Sequence, residues 1–284
     1  MGWTAVSEGA GKGNNEDLVA VHERDGVTDV LVLDGGTSVA ARDYADASLG
    51  DVAWFVRSFA REAEHLLDAH DGVAAAVDAA VGRTRAAYLE RVKGQAVPDH
   101  AWPIAALTWT RIRHHGAHDE IELFCLGDCK TLLRDPDGTV HDLDPWVNPQ
   151  EGVLQAALAA LRAEGVTDPA ERHARMLPML RARREQQNAA AAPSTLCLRP
   201  AGRFKARRAT VRAAPGSSLL GMTDGFYRLA DPYGLYADGS LAQACLERGL
   251  AAMLAELRAA EAAGRSGGMP LKAADDASAV LWTR

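Results

Sequence analysis

The chain has 284 residues, of which 48% are hydrophobic and 24% charged, so it is long enough for one large domain or two small ones. A net charge of -7 leaves no basic excess to neutralise nucleic-acid phosphates, and no apolar run has the length of a membrane span. The opening segment MGWTAVSEG lacks the regions of a signal peptide, and four cysteines fit a reducing compartment. We therefore expect a cytoplasmic protein that binds neither nucleic acid nor a membrane.

The first half of the chain combines strands with two helices. WTAVS predicts a strand, and DLVAVHERDGVTDVLVLD predicts two strands joined by a turn at Asp25-Gly26. Apolar side chains then recur at helical spacing, which predicts helices over residues 40–68 and 72–93. Two more strands follow in AALTWTRI and EIELFCLGD, joined by a polar turn over residues 113–119.

The second half repeats this mixture of hairpins and helices. KTLLRDPDGTVHDL predicts a hairpin that turns at Asp137-Gly138, and residues 150–186 are rich in Ala, Arg and Glu and predict helix. Strands are predicted in ATVRA, SSLLGMTDG and ASAVLWT, with a helix over residues 240–262 before the last. The hairpins favour an α+β fold of antiparallel sheets with helices packed outside. Because no linker or repeat is visible, we expect a single domain over residues 1–284.

Acidic residues stand at a strand end, or in a loop beside one, in four places. These places contain Glu16 with Asp17, Asp34, Asp224, and Asp275 with Asp276. Hard divalent cations prefer oxygen ligands, and two such ions about 3.5–4 Å apart activate water and clamp a phosphoryl group. If the four turns meet at one sheet edge, they would form such a site. Taken singly, each is better explained as an ordinary turn, because Asp-Gly is a common turn dipeptide.

Five motifs together resemble the metal-dependent serine/threonine protein phosphatases, the PPM or type-2C family. The motifs are KGNNED, VLVLDGG, LFCLGDCKTLL, LLGMTDGFY and DDASAVLW, and they follow one another in the family's order. They span the chain from Lys12 to Trp282. The resemblance implies a layered α/β/β/α sandwich of two antiparallel sheets flanked by helices. It also implies hydrolysis of phosphoserine or phosphothreonine in a phosphoprotein substrate by a metal-activated water, without a covalent phospho-enzyme.

The same resemblance implies a binuclear site with two Mg²⁺ or Mn²⁺ ions. Asp34 would bridge the ions, the Gly35 carbonyl would bind one of them, and Asp224 and Asp275 would bind the other.

Other residues around this site receive roles from the resemblance as well. Glu16 and Asp17 would hold metal-bound waters, and Lys12 stands where the family has a phosphate-binding arginine. Asp128 is a candidate for a weak third metal site. A helical flap-like segment at about residues 145–190 would lie beside the site and influence the choice of substrate.

Several residues depart from the family pattern. Gly36 stands where many members have a histidine proposed as general acid, and Asp276 replaces an asparagine. Arg228 stands where members with a third metal often have an aspartate, so we expect it either to neutralise Asp128 or to point to solvent. These departures keep open a second function, that of a catalytically weak or inactive phosphatase-fold regulator that binds a partner protein.

Other motifs in the sequence favour competing sites less well. DGGTS also fits the phosphate loop of sugar kinases and actin-like ATPases, but the second loop of that fold is not found, and GAGKGNN lacks residues that a P-loop needs. His114, His115 and His118 lie in a polar turn, where a solvated loop is the better interpretation. Thr37 and Ser38 have no accompanying His-Asp arrangement, so we expect them to cap the helix that follows.

Overall fold

The computed structural model describes residues 2–11, 13–67, 72–264 and 274–284, and within these ranges eleven strands form two antiparallel sheets. The strands are β1 Gly2–Glu8, β2 Leu18–Arg24, β3 Val27–Gly35, β4 Ile104–His114, β5 Asp119–Leu126, β6 Lys130–Arg134, β7 Val140–Asp142, β8 Leu196–Cys197, β9 Arg207–Ala213, β10 Ser218–Met222 and β11 Ala277–Thr283. One sheet has the order β1-β11-β10-β6-β7 and the other β2-β3-β4-β5-β9, with β8 paired to β4.

Helices cover the outer faces of both sheets. In the described ranges they are α1 Asp51–Glu64, α2 Val73–Arg91, α3 Glu151–Ala163, α4 Pro169–Ala189, α5 Asp224–Tyr227, α6 Asp238–Arg248 and α7 Leu250–Ala262, with a short 3-10 helix at Asp99–Ala101. Helices α1 and α2 pack on the sheet that contains β3, and α6 and α7 pack on the sheet that contains β10. None of the helices in these ranges combines the length and the apolar character needed to cross a membrane.

The alternation of side chains along β3 produces the layers of the fold. Leu31 and Leu33 are fully buried against α1 and α2, whereas Val30 and Val32 face Val280 of the other sheet. Each such apolar side chain contributes roughly 1.5–3 kcal/mol when it is buried. The predicted α+β sandwich of two antiparallel sheets flanked by helices is therefore confirmed, and the predicted turns at Asp25-Gly26 and Asp137-Gly138 join hairpin strands as expected.

The prediction of a helix over residues 40–68 is wrong at its beginning, because α1 begins only at Asp51. The buried carboxylate of Asp51 accepts hydrogen bonds from three backbone N–H groups of the preceding loop, at 2.7–3.1 Å. Gly50, at a φ of 83°, then turns the chain into the helix. Ser38 consequently does not cap α1, and its hydroxyl accepts the N–H of Ala40 instead. Residues 68–71 lie outside the described ranges.

Two predicted helices are each divided in two by a glycine with positive φ. Residues 150–186 form α3 and α4, which are separated near Gly165 at a φ of 80°. Asp168 then caps α4 by accepting the N–H of Glu171 at 2.9 Å. Residues 240–262 are divided in the same way by Gly249, at a φ of 81°. Glycine adopts this conformation without the steric cost that a side chain would add.

A buried charge cluster lies on β3 and β4, towards the end of β3 opposite to Asp34. Asp29 is fully buried and accepts hydrogen bonds from Trp109 Nε1 at 2.7 Å and from Arg111 Nε at 2.8 Å. Arg24 on β2 also pairs with this carboxylate. Because each polar group in this cluster is costly to bury alone, the cluster holds the three strands in one register.

Candidate active site

Asp34 lies where β3 ends, and the glycine that follows it lets a second loop approach. A Cβ atom at Gly35 would lie 2.6 Å from the carbonyl oxygen of Glu16 and 2.6 Å from Val52 Cγ1, so only glycine fits there. Asp34 shares the face of β3 that carries Val30 and Val32, which directs it towards the space between the two sheets. The strand end therefore presents a carboxylate next to the backbone of Glu16.

Asp224 reaches the same place from the other sheet. It begins α5 directly after β10, and its backbone N–H lies 3.4 Å from Asp34 Oδ2, to which it donates. The preceding residue, Thr223, is buried and donates its hydroxyl to Asp17 Oδ2 at 2.8 Å. The structure thus brings together Asp17, Asp34 and Asp224 from three separate turns.

The proximity of these carboxylates shifts their proton affinities. Burial, followed by the negative charges of Asp224 and Asp17, raises the pKa of Asp34 well above its usual value. Burial likewise raises the pKa of Asp17 to about 8, although the hydrogen bond from Thr223 opposes this shift. Although Asp224 is exposed, desolvation by the surrounding protein raises its pKa to about 6, and the negative charges of Asp128 and Asp275 add to this shift. Burial and mutual repulsion therefore favour the protonated forms of these carboxyl groups, or a cation bound beside them.

The loop before β11 contributes Asp275 and Asp276, which play different parts. The Asp276 carboxylate accepts the N–H of Ala10 at 2.8 Å and the N–H of Glu16 at 2.7 Å, so it ties the first motif to the last. Gly225 permits this loop to approach, because a Cβ there would lie 1.9 Å from the carbonyl oxygen of Asp276. Asp276 is thus a positioning residue of the loop that carries Glu16.

Asp275 pairs with Arg228, and both sequence-based expectations for Arg228 are wrong. Arg228 neither neutralises Asp128 nor points to solvent, since its side chain is only 15% exposed. Its Nη2 lies 3.5 Å from Asp275 Oδ2, and its Nη1 lies 3.5 Å from Glu261 Oε1. The short helix α5 directs Arg228 towards Asp275 and Glu261. The spacing of four residues between Asp224 and Arg228 did not reveal this direction.

Asp128 shares the cleft and has a different partner. It follows β5, and its Oδ2 accepts a hydrogen bond from Asn148 Nδ2 at 3.0 Å. Its charge also helps to raise the pKa of Asp34 and of Asp224, which places it near both carboxylates. Asn148 in turn lies 3.5 Å from Arg183 of α4.

An open cavity of about 460 Å³ lies beside this group of acids. Gly11, Gly13, Glu16, Asp275 and Asp276 are among the residues that line it. Lys12, the predicted phosphate-binding residue, lies outside the described ranges.

The acids of the cleft fit a hard divalent cation in their chemistry, although their ligand geometry is not preassembled. The donors are carboxylate oxygens, which Mg²⁺ and Mn²⁺ prefer, and two of the carboxyl groups have strongly raised pKa values. Within the described part of the chain, no three acidic, histidine or cysteine side chains already surround one point as metal ligands do. Asp275 would have to leave Arg228 in order to join such a set.

Three further residues at this site escaped the sequence reasoning. Thr223 directly precedes Asp224, so the tripeptide Thr-Asp-Gly was a local signal that could have found it. Asn148 and Arg184 gave no such signal. Arg184 contacts Gly36, which is 148 positions away in the chain, and it lies in an arginine-rich segment that is typical of a solvated helix.

Comparison with known proteins identifies the fold. No protein-family model and no curated protein matches the sequence. The catalytic domain of the serine/threonine protein phosphatase PstP, solved with two manganese ions, is 19% identical with a TM-score of 0.52, over 98% of this chain and 96% of that one. The S. agalactiae serine/threonine phosphatase is 12% identical with a TM-score of 0.58, over 100% of this chain and 99% of that one.

A third structure gives the same result. The PPM Ser-Thr phosphatase MsPP from Mycobacterium smegmatis, in complex with cacodylate, is 15% identical with a TM-score of 0.51, over 100% of this chain and 98% of that one. At such identities the likeness establishes the fold alone. The chain therefore has the α+β fold of the PPM-type phosphatases, as the resemblance of the five motifs predicted.

Proposed function

We propose that the chain is a metal-dependent phosphoprotein phosphatase that hydrolyses phosphoserine and phosphothreonine. The observation that carries this proposal is the meeting of Asp17, Asp34 and Asp224 in one cleft of a PPM-type fold. Three carboxyl groups with raised pKa values are costly to hold together without a cation. Perturbed acids in a cleft are a common feature of functional sites.

The proposed cofactors are two Mg²⁺ or Mn²⁺ ions, in keeping with the two manganese ions of PstP. Asp34 would bind both, the Gly35 carbonyl would bind one, and Asp224 and Asp275 would bind the other. When bound, such ions activate water for attack on a phosphoryl group and offset its negative charge. Asp128, with Asn148 as its partner, would at most hold a weak third ion.

The remaining residues would place water and substrate. Glu16 and Asp17 would orient waters, and Asp276 fixes the loop of Glu16 through two backbone hydrogen bonds. Lys12, in the loop whose neighbours line the open cavity, would bind the substrate phosphate as a point charge. Because Gly36 has no side chain, the leaving oxygen would take its proton from water. The segment at residues 145–190, which contains α3 and α4, would act as the flap.

A phosphatase assay with a matched variant tests the proposal. We expect Mn²⁺-dependent hydrolysis of p-nitrophenyl phosphate and of a phosphothreonine peptide, abolished by EDTA and by Asp34→Asn. Asp25→Asn is the control, because Asp25 also precedes a glycine but is exposed at a hairpin tip. Equal activity of the two variants, or activity that survives EDTA, would refute the proposed mechanism.

Two observations favour the second candidate, a phosphatase-fold regulator with little or no turnover. Asp275 is paired with Arg228, and Gly36 carries no side chain that could protonate a leaving group. Such a regulator would bind a phosphoprotein partner without hydrolysing it. Tight binding of a phosphothreonine peptide, together with no Mn²⁺-dependent hydrolysis in the same assay, would favour the regulator over the enzyme.

A further inference from the structure

Arg184 of α4 makes contacts that are unusual for an arginine on a helix with few buried residues. Its side chain is buried, with the residue 8% exposed, and its Nη2 donates to the carbonyl oxygens of Gly36 at 3.0 Å and Thr37 at 3.1 Å. From the other side, the N–H of Gly36 donates to the carbonyl oxygen of Ile104 at 3.0 Å. The turn directly after Asp34 and Gly35 is therefore fixed between β4 and α4.

The guanidinium of Arg184 and the glycine at position 36 are sterically matched. A Cβ atom at Gly36 would lie 2.9 Å from Ile104 Cγ1 and 3.2 Å from Arg184 Nη2, which is closer than most real Cβ contacts. Any side chain at position 36 would displace the guanidinium or the turn. The space beside the proposed metal ligands is thus occupied by an arginine from α4 rather than by a residue of the turn itself.

Burial of the Arg184 guanidinium costs desolvation free energy that an apolar side chain in the same place would not. Burial lowers the pKa of Arg184 to about 10, although the negative charge of Glu16 opposes the shift, so the group stays cationic at neutral pH. Its Nε is buried without a hydrogen-bond partner. Charge-assisted bonds to carbonyl oxygens are stronger and more directional than neutral ones, and they restrict where those carbonyls point.

We propose that Arg184 is a positioning residue that couples α4 to the metal-binding turn. By fixing the carbonyls of Gly36 and Thr37, it orients the adjacent Gly35 carbonyl and the Asp34 carboxylate for cation binding. The inference rests on the proposed function, because it assigns Arg184 a task at that same site. It predicts that a change on α4 alters metal affinity without altering any ligand.

Arg172 provides a matched control on the same helix. It is also 8% exposed, it also has a buried Nε without a partner, and its Nη1 donates to the carbonyl oxygen of Thr167. Thr167 belongs to the connection between α3 and α4 and not to the turn after Asp34. Arg172→Met therefore removes a comparable buried guanidinium from α4 while leaving the metal-binding turn intact.

The experiment compares Arg184→Met, Arg184→Lys and Arg172→Met with the wild type. Mn²⁺ affinity is measured by titration calorimetry, and backbone hydrogen exchange of residues 33–40 is measured without metal. We expect Arg184→Met to weaken Mn²⁺ binding about tenfold, as the loss of charged hydrogen bonds would, and to speed exchange in this segment. Arg184→Lys should recover part of both effects, because an ammonium group retains a donor and the charge. Arg172→Met should change neither.

The outcomes separate this inference from the proposed function. If the wild type binds Mn²⁺ and Arg184→Met binds it equally well, Arg184 only stabilises the helix and the inference is wrong. Should Arg184→Met fail to fold, Arg184→Gln, which removes the charge but keeps a polar side chain, takes its place, and wild-type Mn²⁺ affinity in that variant would overturn the inference as well. If the wild type binds no Mn²⁺, the proposed function fails, and unchanged exchange in the Arg184 variants would then also refute the positioning of the turn.

Discussion

Replacing Asp17 with asparagine would test whether the cleft carries uncompensated negative charge. Asp17 is 5% exposed, and its carboxylate accepts the hydroxyl of Thr223 at 2.8 Å. An asparagine side chain retains an oxygen that accepts this hydrogen bond, but it has no proton to lose. The substitution therefore removes the titration of one buried acid and leaves the shape of the site almost unchanged.

The size of the effect follows from the pKa of Asp17, which rises from 3.8 to about 8 on folding. Because the folded protein holds the proton more tightly, the stabilisation from this group is complete below pH 3.8 and is lost as the pH rises towards 8. At pH 7 the loss approaches ~4 kcal/mol, since about three pH units separate pH 7 from the unfolded pKa. This is a ceiling, because the neighbouring acids titrate together with Asp17.

Urea unfolding in EDTA, repeated at intervals from about pH 5 to about pH 8, measures this effect. The free energy of unfolding of the wild type should fall as the pH rises, and that of Asp17→Asn should fall less, so that the variant becomes the more stable protein near neutral pH. Asp25→Asn, at an exposed position, should follow the wild type. Parallel pH profiles for the wild type and Asp17→Asn would refute the reasoning.

Two further substitutions test other parts of the structure. Arg228→Met should tighten Mn²⁺ binding several-fold in titration calorimetry, because it removes the ion pair of 3.5 Å between Arg228 and Asp275. Arg248→Met, which removes a more exposed ion pair with Glu256, should leave the affinity unchanged. Unchanged affinity in Arg228→Met would show that the Arg228–Asp275 pair does not compete with the metal. Asp29→Ala should lower the free energy of unfolding, measured by urea denaturation, by ~3–5 kcal/mol, because it leaves the buried Arg111 without its carboxylate partner. A loss below ~1 kcal/mol would contradict this expectation.

The strands and hairpins could be predicted because their signals are local. A short apolar run that stops at turn residues identifies β3, and the Asp-Gly turns at residues 25–26 and 137–138 lie between strands that pair directly. The motifs that follow β3 and β10 predicted that Asp34 and Asp224 share a site, and the backbone N–H of Asp224 lies 3.4 Å from Asp34 Oδ2. That inference needed the resemblance to a family, because no local rule places two strand ends from different sheets side by side.

The helix boundaries and the partners of the charged groups depended on contacts between distant segments. A helical pattern over residues 40–68 did not disclose that the Asp51 carboxylate would bind the preceding loop and delay the start of α1. Arg228 was expected near Asp128 or in solvent, yet it lies against Asp275 and Glu261. Small differences in geometry decide which of several nearby oxygen atoms a long side chain pairs with, and the spacing of residues along the sequence contains no information about them.

By itself, then, the sequence determined the α+β class and most of the strands, because periodicity and turn residues are encoded over a few neighbouring residues. Only the tertiary structure decided that burial and neighbouring acids raise the pKa of Asp34, that Arg228 pairs with Asp275, and that Arg184 lies beside Gly36. These features arise where burial strengthens electrostatic interactions between segments that are distant in the chain, and such interactions exist only after the chain has folded.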